Sequence, residues 1–367
     1  MAARSIEVPV EKLEVSAYQI PTDFPEADGT LSWDATTLVL VTATGGGKQS
    51  LGYTYGNKAV ATLIAGKLTE MVVGQNAMAI TSSWQAMVKA IRNLGRPGIC
   101  SMAIAAVDTA LWDLKARLLD LPLVALLGAA RAEAPIYGSG GFTSYSSEQL
   151  QKQLSGWVSE GMQAVKMKVG SQPHQDPERV RLAREAIGEE VALFVDGNGA
   201  YGRKQALALA EAFAQHRVTW FEEPVSSDDL EGLRLLRDRG PAGMDIAAGE
   251  YGYDQYYFRH MLAAGAVDVL QADATRCGGI TGFMAASALC QGYGIPLSAH
   301  TAPSLHAHAV CALPHIRPLE YFHDHARIEA IFFDGVLKPV NGALKPDTSR
   351  PGLGLELRQA DAAQYAM

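Results

Sequence analysis

Residues Ala192–Pro224 read ALFVDGNGAYGRKQALALAEAFAQHRVTWFEEP. An apolar run, Ala192–Val195, ends on the tip Asp196-Gly197-Asn198. An Ala- and Leu-rich stretch of helical texture, Arg203–Gln215, comes next, and a second apolar run, Thr219–Phe221, ends on Glu222-Glu223-Pro224. Runs this short, bounded by turn residues, suit strands buried on both faces, the pattern of a parallel sheet. Both strands close on carboxylates, so one strand–helix–strand unit places acids at one end of a sheet.

Working outward, the same unit recurs from about Ile136. The other apolar runs are Ala134–Tyr137, Ala164–Val169, Asp245–Ala248, Val267–Leu270, Pro296–Ser298 and Leu319–Phe322. Helical stretches separate them; Ser147–Gly161 opens Ser-Glu-Gln and Asp176–Ile187 opens Asp-Pro-Glu, both expected helix starts. Eight strand–helix units at about 20–30-residue spacing describe an α/β fold, a (β/α)8 barrel with a degenerate last unit. The first 125 residues differ. Strands are expected over Ile6–Val15 and Thr37–Ala43, joined by a long loop from Pro21 to Ser32, with helices around Ala59–Val73, Ser83–Leu94 and Cys100–Leu119. Phe332–Leu357 has the texture to return to this α+β segment. The expected organisation is an α+β cap formed by residues 1–125 and 331–367 over a barrel spanning 126–330.

Composition narrows the classes of function. The chain has 367 residues, 48% of them hydrophobic and 19% charged, with mean hydropathy +0.02, net charge −8 and pI near 5.6. That fits a large core and excludes disorder. The acidic balance provides no field for polyanions, so neither nucleic acid nor an anionic membrane surface is expected as partner. No apolar run approaches the roughly 18 residues of a membrane span, and the opening Met-Ala-Ala-Arg-Ser-Ile-Glu-Val lacks a secretory pattern. The scattered Cys100, Cys277, Cys290 and Cys311 read as reduced thiols of a cytoplasmic protein.

In such a barrel, chemistry gathers at the carboxyl ends of the strands. Seven successive ends here carry ionisable groups: Lys166 and Lys168, Asp196, Glu222 with Glu223, Glu250, Asp273, His300 and Glu320. Buried there, they need partners or a metal. Asp196, Glu222 and Glu250 lie on consecutive strands spaced about 4.8 Å apart, so their carboxylates can converge on one ion. An all-oxygen set suits Mg²⁺ better than zinc; the alternative is a rim of salt bridges. Lys166 and Lys168, two apart on a strand, share the inward face, where desolvation and a dication should lower their pKa values and make one a base. A histidine alone at a strand end would read as a core residue, but Asp273 on the adjacent strand can fix the tautomer of His300 and raise its basicity. Lys168 and His300 then look like two bases facing two sides of a carbon acid. Removing a proton α to a carboxylate creates an enediolate, which a divalent ion, a cationic Lys166 and a protonated Glu320 would stabilise.

At these residues the chain closely resembles the enolase superfamily, in its mandelate racemase subgroup. The resemblance is carried by Lys166-Met167-Lys168, Asp196-Gly197-Asn198, Glu222-Glu223-Pro224, Gly249-Glu250, Asp273 with Cys277-Gly278-Gly279, His300 and Glu320. It implies that Asp196, Glu222 and Glu250 bind Mg²⁺. It implies further that Lys168 is the base on one face and that His300, paired with Asp273, is the acid or base on the other. Glu320 would hydrogen-bond a substrate carboxylate oxygen, Lys166 would assist electrostatically, and Asn198 and Glu223 would support the metal. One departure is that Gly197 and Gly199 flank Asn198, which should leave that loop less restrained. Homo-oligomerisation is expected from family habit.

Members of the subgroup share proton abstraction and differ in the fate of the enediolate. Dehydration of an acid sugar to a 2-keto-3-deoxy acid is favoured, by analogy and because Arg276, Thr301, His323, Asp324 and His325 could hydrogen-bond a polyhydroxylated substrate; Tyr55 is a further candidate contact from the cap. The alternatives are a racemase or epimerase of a 2-hydroxy acid and a catalytically idle carboxylate-binding barrel. Weaker signals have plainer explanations. Gly45-Gly46-Gly47-Lys48 lacks the rest of a phosphate loop and reads as a hairpin turn. Gly138-Ser139-Gly140-Gly141 has no ribose-binding acid at the right spacing. His306 and His308 read as packing or surface residues. Phe24, Trp33 and Tyr55 could pack within the cap as readily as reach the mouth.

Overall fold

Three long antiparallel strands open the chain in the computed structural model, which describes residues 7–367. They are β1 (Lys12–Ala27), β2 (Ser32–Gly45) and β3 (Lys48–Tyr55). Gly46 and Gly47, with φ of 57° and 73°, make the two-residue turn between β2 and β3, the backbone geometry a tight hairpin requires. The alternation of β2 serves two cores. Leu38 and Leu40 join the cluster shared with the barrel, while Val39, Val41 and Ala43 join one formed with the cap helices, because successive side chains leave a strand on opposite faces. The helices Ile80–Ala90 and Ile99–Leu118, and a run from Lys58 to Val72 with a π-helical middle at Ile64–Leu68, supply that second layer.

The first expected strand begins within the undescribed residues, at Ile6, and its described part is longer than expected. β1 runs past Pro21, shifts register, and pairs again at Glu26↔Trp33 and Ala27↔Ser32. The expected Pro21–Ser32 loop is thus mostly strand, with the irregularity where the prolines cannot donate to the ladder. The true turn is Asp28–Leu31, where Asp28 Oδ1 accepts from the backbone of Thr30 (2.6 Å) and Leu31 (2.7 Å).

Eight parallel strands form the barrel: β4 (Ala134–Gly140), β5 (Ala164–Lys168), β6 (Ala192–Asp196), β7 (Val218–Glu222), β8 (Asp245–Ala248), β9 (Val269–Ala272), β10 (Leu297–Ala299) and β11 (Leu319–Phe322). From β4 to β10 each pairs with the next, and β11 pairs with β4 on its other side, so β10 and β11 are the two ends of the sheet. Between β10 and β11 the ladder thins to the single parallel bridge Leu297↔Ile316. Tyr137, Phe194 and Trp220 fill the interior, the last two stacked at 5.1 Å, which makes an apolar floor beneath the strand ends. The register Lys168↔Asp196↔Glu222 sets three charged residues level above it.

The C-terminal return straddles both parts. Its strand Ala343–Leu344 pairs with the start of β4, whereas Met367 donates to Ala17 (3.1 Å) in β1. Among the described residues no helix is long and apolar enough to cross a membrane, and all four cysteines are buried and unbridged. Asp113 ties the pieces together. Buried in the helix Ile99–Leu118, it accepts from Leu51 N (2.9 Å) in β3, Leu353 N (2.6 Å) in the return and Arg117 Nε (2.8 Å). Asp113→Ala should destabilise the protein by about 3–5 kcal/mol, because it leaves Arg117 and two backbone donors unpaired. Denaturant unfolding monitored by circular dichroism checks this; a change below about 1 kcal/mol would contradict the assigned role.

Candidate active site

The carboxyl ends of the barrel strands carry an excess of buried negative charge. Asp196, Glu222, Glu223, Glu250, Asp273 and Glu320 are all buried, against Lys166, Lys168 and the half-buried Arg276. Oxygens of Asp196, Glu222 and Glu250 lie within 4.8 Å of one another. Burial, reinforced by Asp196, pushes the Glu222 carboxyl well above its usual range, and burial with Glu250 does the same to Glu223. Glu250 Oε2, Asn198 Oδ1 and Glu223 Oε1 are buried without a hydrogen-bond partner. Oxygens crowded around one point, several of them lacking donors, fit a hard divalent cation.

The loop carrying Asn198 is not slack. Gly197 N donates to Glu222 O (2.9 Å), Gly199 N to Glu223 O (2.8 Å), and Asn198 N to Asp196 Oδ1 (2.9 Å). A Cβ on Gly197 would meet Glu223 O at 3.0 Å, and Gly199 has φ +75°. The glycines are there for close approach and fix the loop, contrary to the expected looseness.

At Lys166 and Lys168 a dication would act in the expected, lowering direction, whereas the chain's own carboxylates act the other way. Burial would lower the Lys166 and Lys168 pKa values, but Glu222 and Glu320 outweigh it at Lys166, and Asp196 at Lys168, so both are raised. Lys166 Nζ donates to Glu222 Oε1 (2.5 Å) and lies 2.9 Å from Glu320 Oε1; Lys168 pairs with Asp196. At Glu320, expected to be protonated, burial favours the neutral form, but Lys166, His300 and Lys168 act against it and hold the carboxyl well below the usual carboxylate range. Its oxygens also accept from Ser139 Oγ (2.6 Å) and Thr301 N (3.2 Å).

Across the cavity His300 Nδ1 donates to Asp273 Oδ2 (2.9 Å), leaving Nε2 toward Glu250 and Glu320, at 3.4 and 3.6 Å. β5 and β10 are separated by four strands, so Lys168 and His300 enter the same cavity from facing sides, with the metal-type carboxylates between. His306, expected as packing or surface, is a fully buried brace. Its Nε2 accepts from Ala274 N (2.8 Å) and its Nδ1 donates to Thr301 O (2.8 Å), which ties the loops after β9 and β10. That brace supports Thr301 and Ala302 at φ of 56° and 40°, a strained conformation that surroundings must hold. His308 is likewise buried, not exposed.

The cavity measures about 470 Å³. Arg276, Thr301, Tyr55 and His325 line it, as do Asn198 and Glu250. His323 does not. It pairs with Asp23 (2.9 Å) and lines a separate cleft beside Phe24 and Tyr145, while Asp324 is buried behind Thr36. Trp33 is a lining residue as well. Asp28, Tyr251 and Tyr253 also line the cavity and escaped the sequence reading. The tyrosines come just after the Gly249-Glu250 tip, a position that could have flagged them, whereas Asp28 reaches the site only through the unforeseen β1 extension.

Residues 149–362 match the family of enolase C-terminal domain-like proteins, and residues 16–128 match the mandelate racemase / muconate lactonizing enzyme N-terminal domain. The chain belongs to the enolase superfamily, in its mandelate racemase subgroup, and is an enzyme of that superfamily. It is 32% identical to the 3,6-anhydro-alpha-L-galactonate cycloisomerase of Streptomyces coelicolor over 83% of this chain and 86% of that one. A solved mandelate racemase/muconate lactonizing enzyme-like protein from Rubrobacter xylanophilus shares 57% identity and superposes with TM-score 0.96, covering 98% of this chain and all of that one. A Streptomyces coelicolor racemase solved with bound magnesium shares 30% identity at TM-score 0.92, covering 98% of this chain and all of that one.

Behind Trp33 sits buried Glu26, which accepts from Trp33 Nε1 (2.8 Å) and is pushed up to about 8 by burial and by Asp324. A raised carboxyl pKa favours the folded state at low pH and loses that advantage as pH rises through about 8. Glu26→Gln should therefore match the parent near pH 4.5 and exceed it in stability by about 1–3 kcal/mol at pH 9. Thermal unfolding across pH checks this; an equal gain at both ends would contradict it.

Proposed function

We propose that this chain is a Mg²⁺-dependent enzyme that takes the proton α to the carboxylate of a sugar acid and expels the β-hydroxyl, giving a 2-keto-3-deoxy acid. The observation that carries the proposal is the arrangement of an amine and a carboxylate-held imidazole on facing sides of one cavity, flanking three convergent carboxylates. Asp196, Glu222 and Glu250 would hold the ion, which when bound supplies positive charge against the enediolate and offsets the carboxylates that now hold Lys168 charged.

Lys168 Nζ, in its neutral form, accepts the α-proton. Lys166, kept cationic by Glu222 and Glu320, faces the developing negative charge from below. Protonated His300 donates from Nε2 to the departing β-hydroxyl, while Asp273 holds its Nδ1 and stabilises the imidazolium. Water leaves and the enol tautomerises to the 2-keto acid. Glu320 serves as the counter-charge that positions Lys166 and Thr301. The polar cavity suits a hydroxylated ligand, and the relatives named L-talarate/galactarate dehydratase and arabinonate dehydratase support the class.

The opposed placement of Lys168 and His300 also supports a second outcome, return of the proton to the other face, which is racemisation or epimerisation. Incubation with Mg²⁺ and a panel of sugar acids in D₂O separates the two: keto-acid formation indicates dehydration, and α-deuterium without keto acid indicates isomerisation. Lys168→Ala and His300→Ala should each lower turnover by about 10²–10⁴-fold with circular dichroism unchanged. Full activity in either variant would contradict the assigned roles, and the absence of exchange with any carboxylate would favour an idle binding barrel.

A further inference from the structure

The cavity is polarised from one end to the other. Among the described residues, the lysines and arginines lining it are Lys168 and Arg276, and both are committed at the barrel end. Lys168 pairs with Asp196. Arg276 lies 3.4 Å from Glu250 Oε1 and 3.6 Å from Asp273 Oδ2, and donates to Glu250 O at 3.1 Å. Of these lining cations, neither is left to face the cap.

The cap wall presents a carboxylate instead. Asp28 Oδ1 is used by its own turn, accepting from Thr30 and Leu31, while among the described residues Oδ2 accepts from none. Two donors nearby are turned away from the cavity: Trp33 Nε1 donates to Glu26, and Thr36 Oγ1 donates to Asp324 (2.5 Å), itself paired with Arg327.

We infer that the substrate carries one carboxylate, seated at the barrel end, and an uncharged hydroxylated tail against the cap, so that it is an aldonate-type monoacid and not an aldarate-type diacid. Asp28 acts as the group that accepts from tail hydroxyls and repels a second carboxylate. A free carboxylate oxygen in a low-dielectric wall binds hydroxyl donors well and like charge badly, and selectivity of this kind comes from the repulsive element as much as from the attractive one. This rests on the proton-abstraction function proposed above.

The test uses matched pairs, gluconate with glucarate and galactonate with galactarate, scored for α-proton exchange and keto-acid release with Mg²⁺, and for binding by calorimetry. At least one monoacid should exceed its matched diacid by roughly 10²-fold in kcat/KM. Asp28→Asn keeps the Oδ1 acceptor of the turn and removes the charge, so it should shrink that ratio at least tenfold, chiefly through a lower KM for the diacid, with roughly that shift also in Kd. A diacid handled as well as its monoacid, or a ratio unmoved by Asp28→Asn, overturns the inference while leaving the proton-abstraction function standing. No exchange with any sugar acid overturns both.

Discussion

Six buried carboxylates crowd the strand ends against only two lysines and an arginine, and the character of the whole site stems from that imbalance. Charges taken out of water are tolerated only when paired or coordinated. Here the pairing is incomplete: Glu222 and Glu223 strain toward protonation, and Glu250 Oε2 has no donor. A folded protein that retains such an arrangement is built around a positive charge supplied from outside the chain.

The barrel makes the imbalance possible. Parallel pairing sets Lys168, Asp196 and Glu222 in one level row, and the Phe194–Trp220 stack beneath them keeps water from entering from below. Contacts one layer further out then fix individual groups. Trp220 Nε1 donates to Glu222 Oε2 (3.0 Å), and His306 locks the strained Thr301 turn on which the placement of His300 depends. Rigid positioning of this kind lets electrostatic stabilisation act without reorganisation.

The barrel and the gathering of ionisable groups at its strand ends were legible because short apolar runs ending in ionisable residues leave a strong pattern, as Ala192–Pro224 shows. What the pattern could not carry was charge state. Whether Lys168 is an ammonium or Glu320 a carboxylate depends on distances between strands, not on either residue's neighbours in sequence. The cap was harder for a different reason. β1 was expected to end near Val15 because its prolines read as loop, whereas pairing with β2 carries it to Ala27 and delivers Asp28 to the cavity. His323 shows the converse. Adjacency to the last strand end suggested a substrate contact, but the first turn of the next helix points it to Asp23.

The most direct test is a crystal of this chain soaked in Mn²⁺, a scatterer that can stand in for Mg²⁺ and be located by its anomalous signal. One ion should appear with an oxygen from each of Asp196, Glu222 and Glu250 at about 2.0–2.2 Å. An ion bound elsewhere with this trio left unliganded, or carboxylates splayed beyond common reach, would contradict the account at its centre.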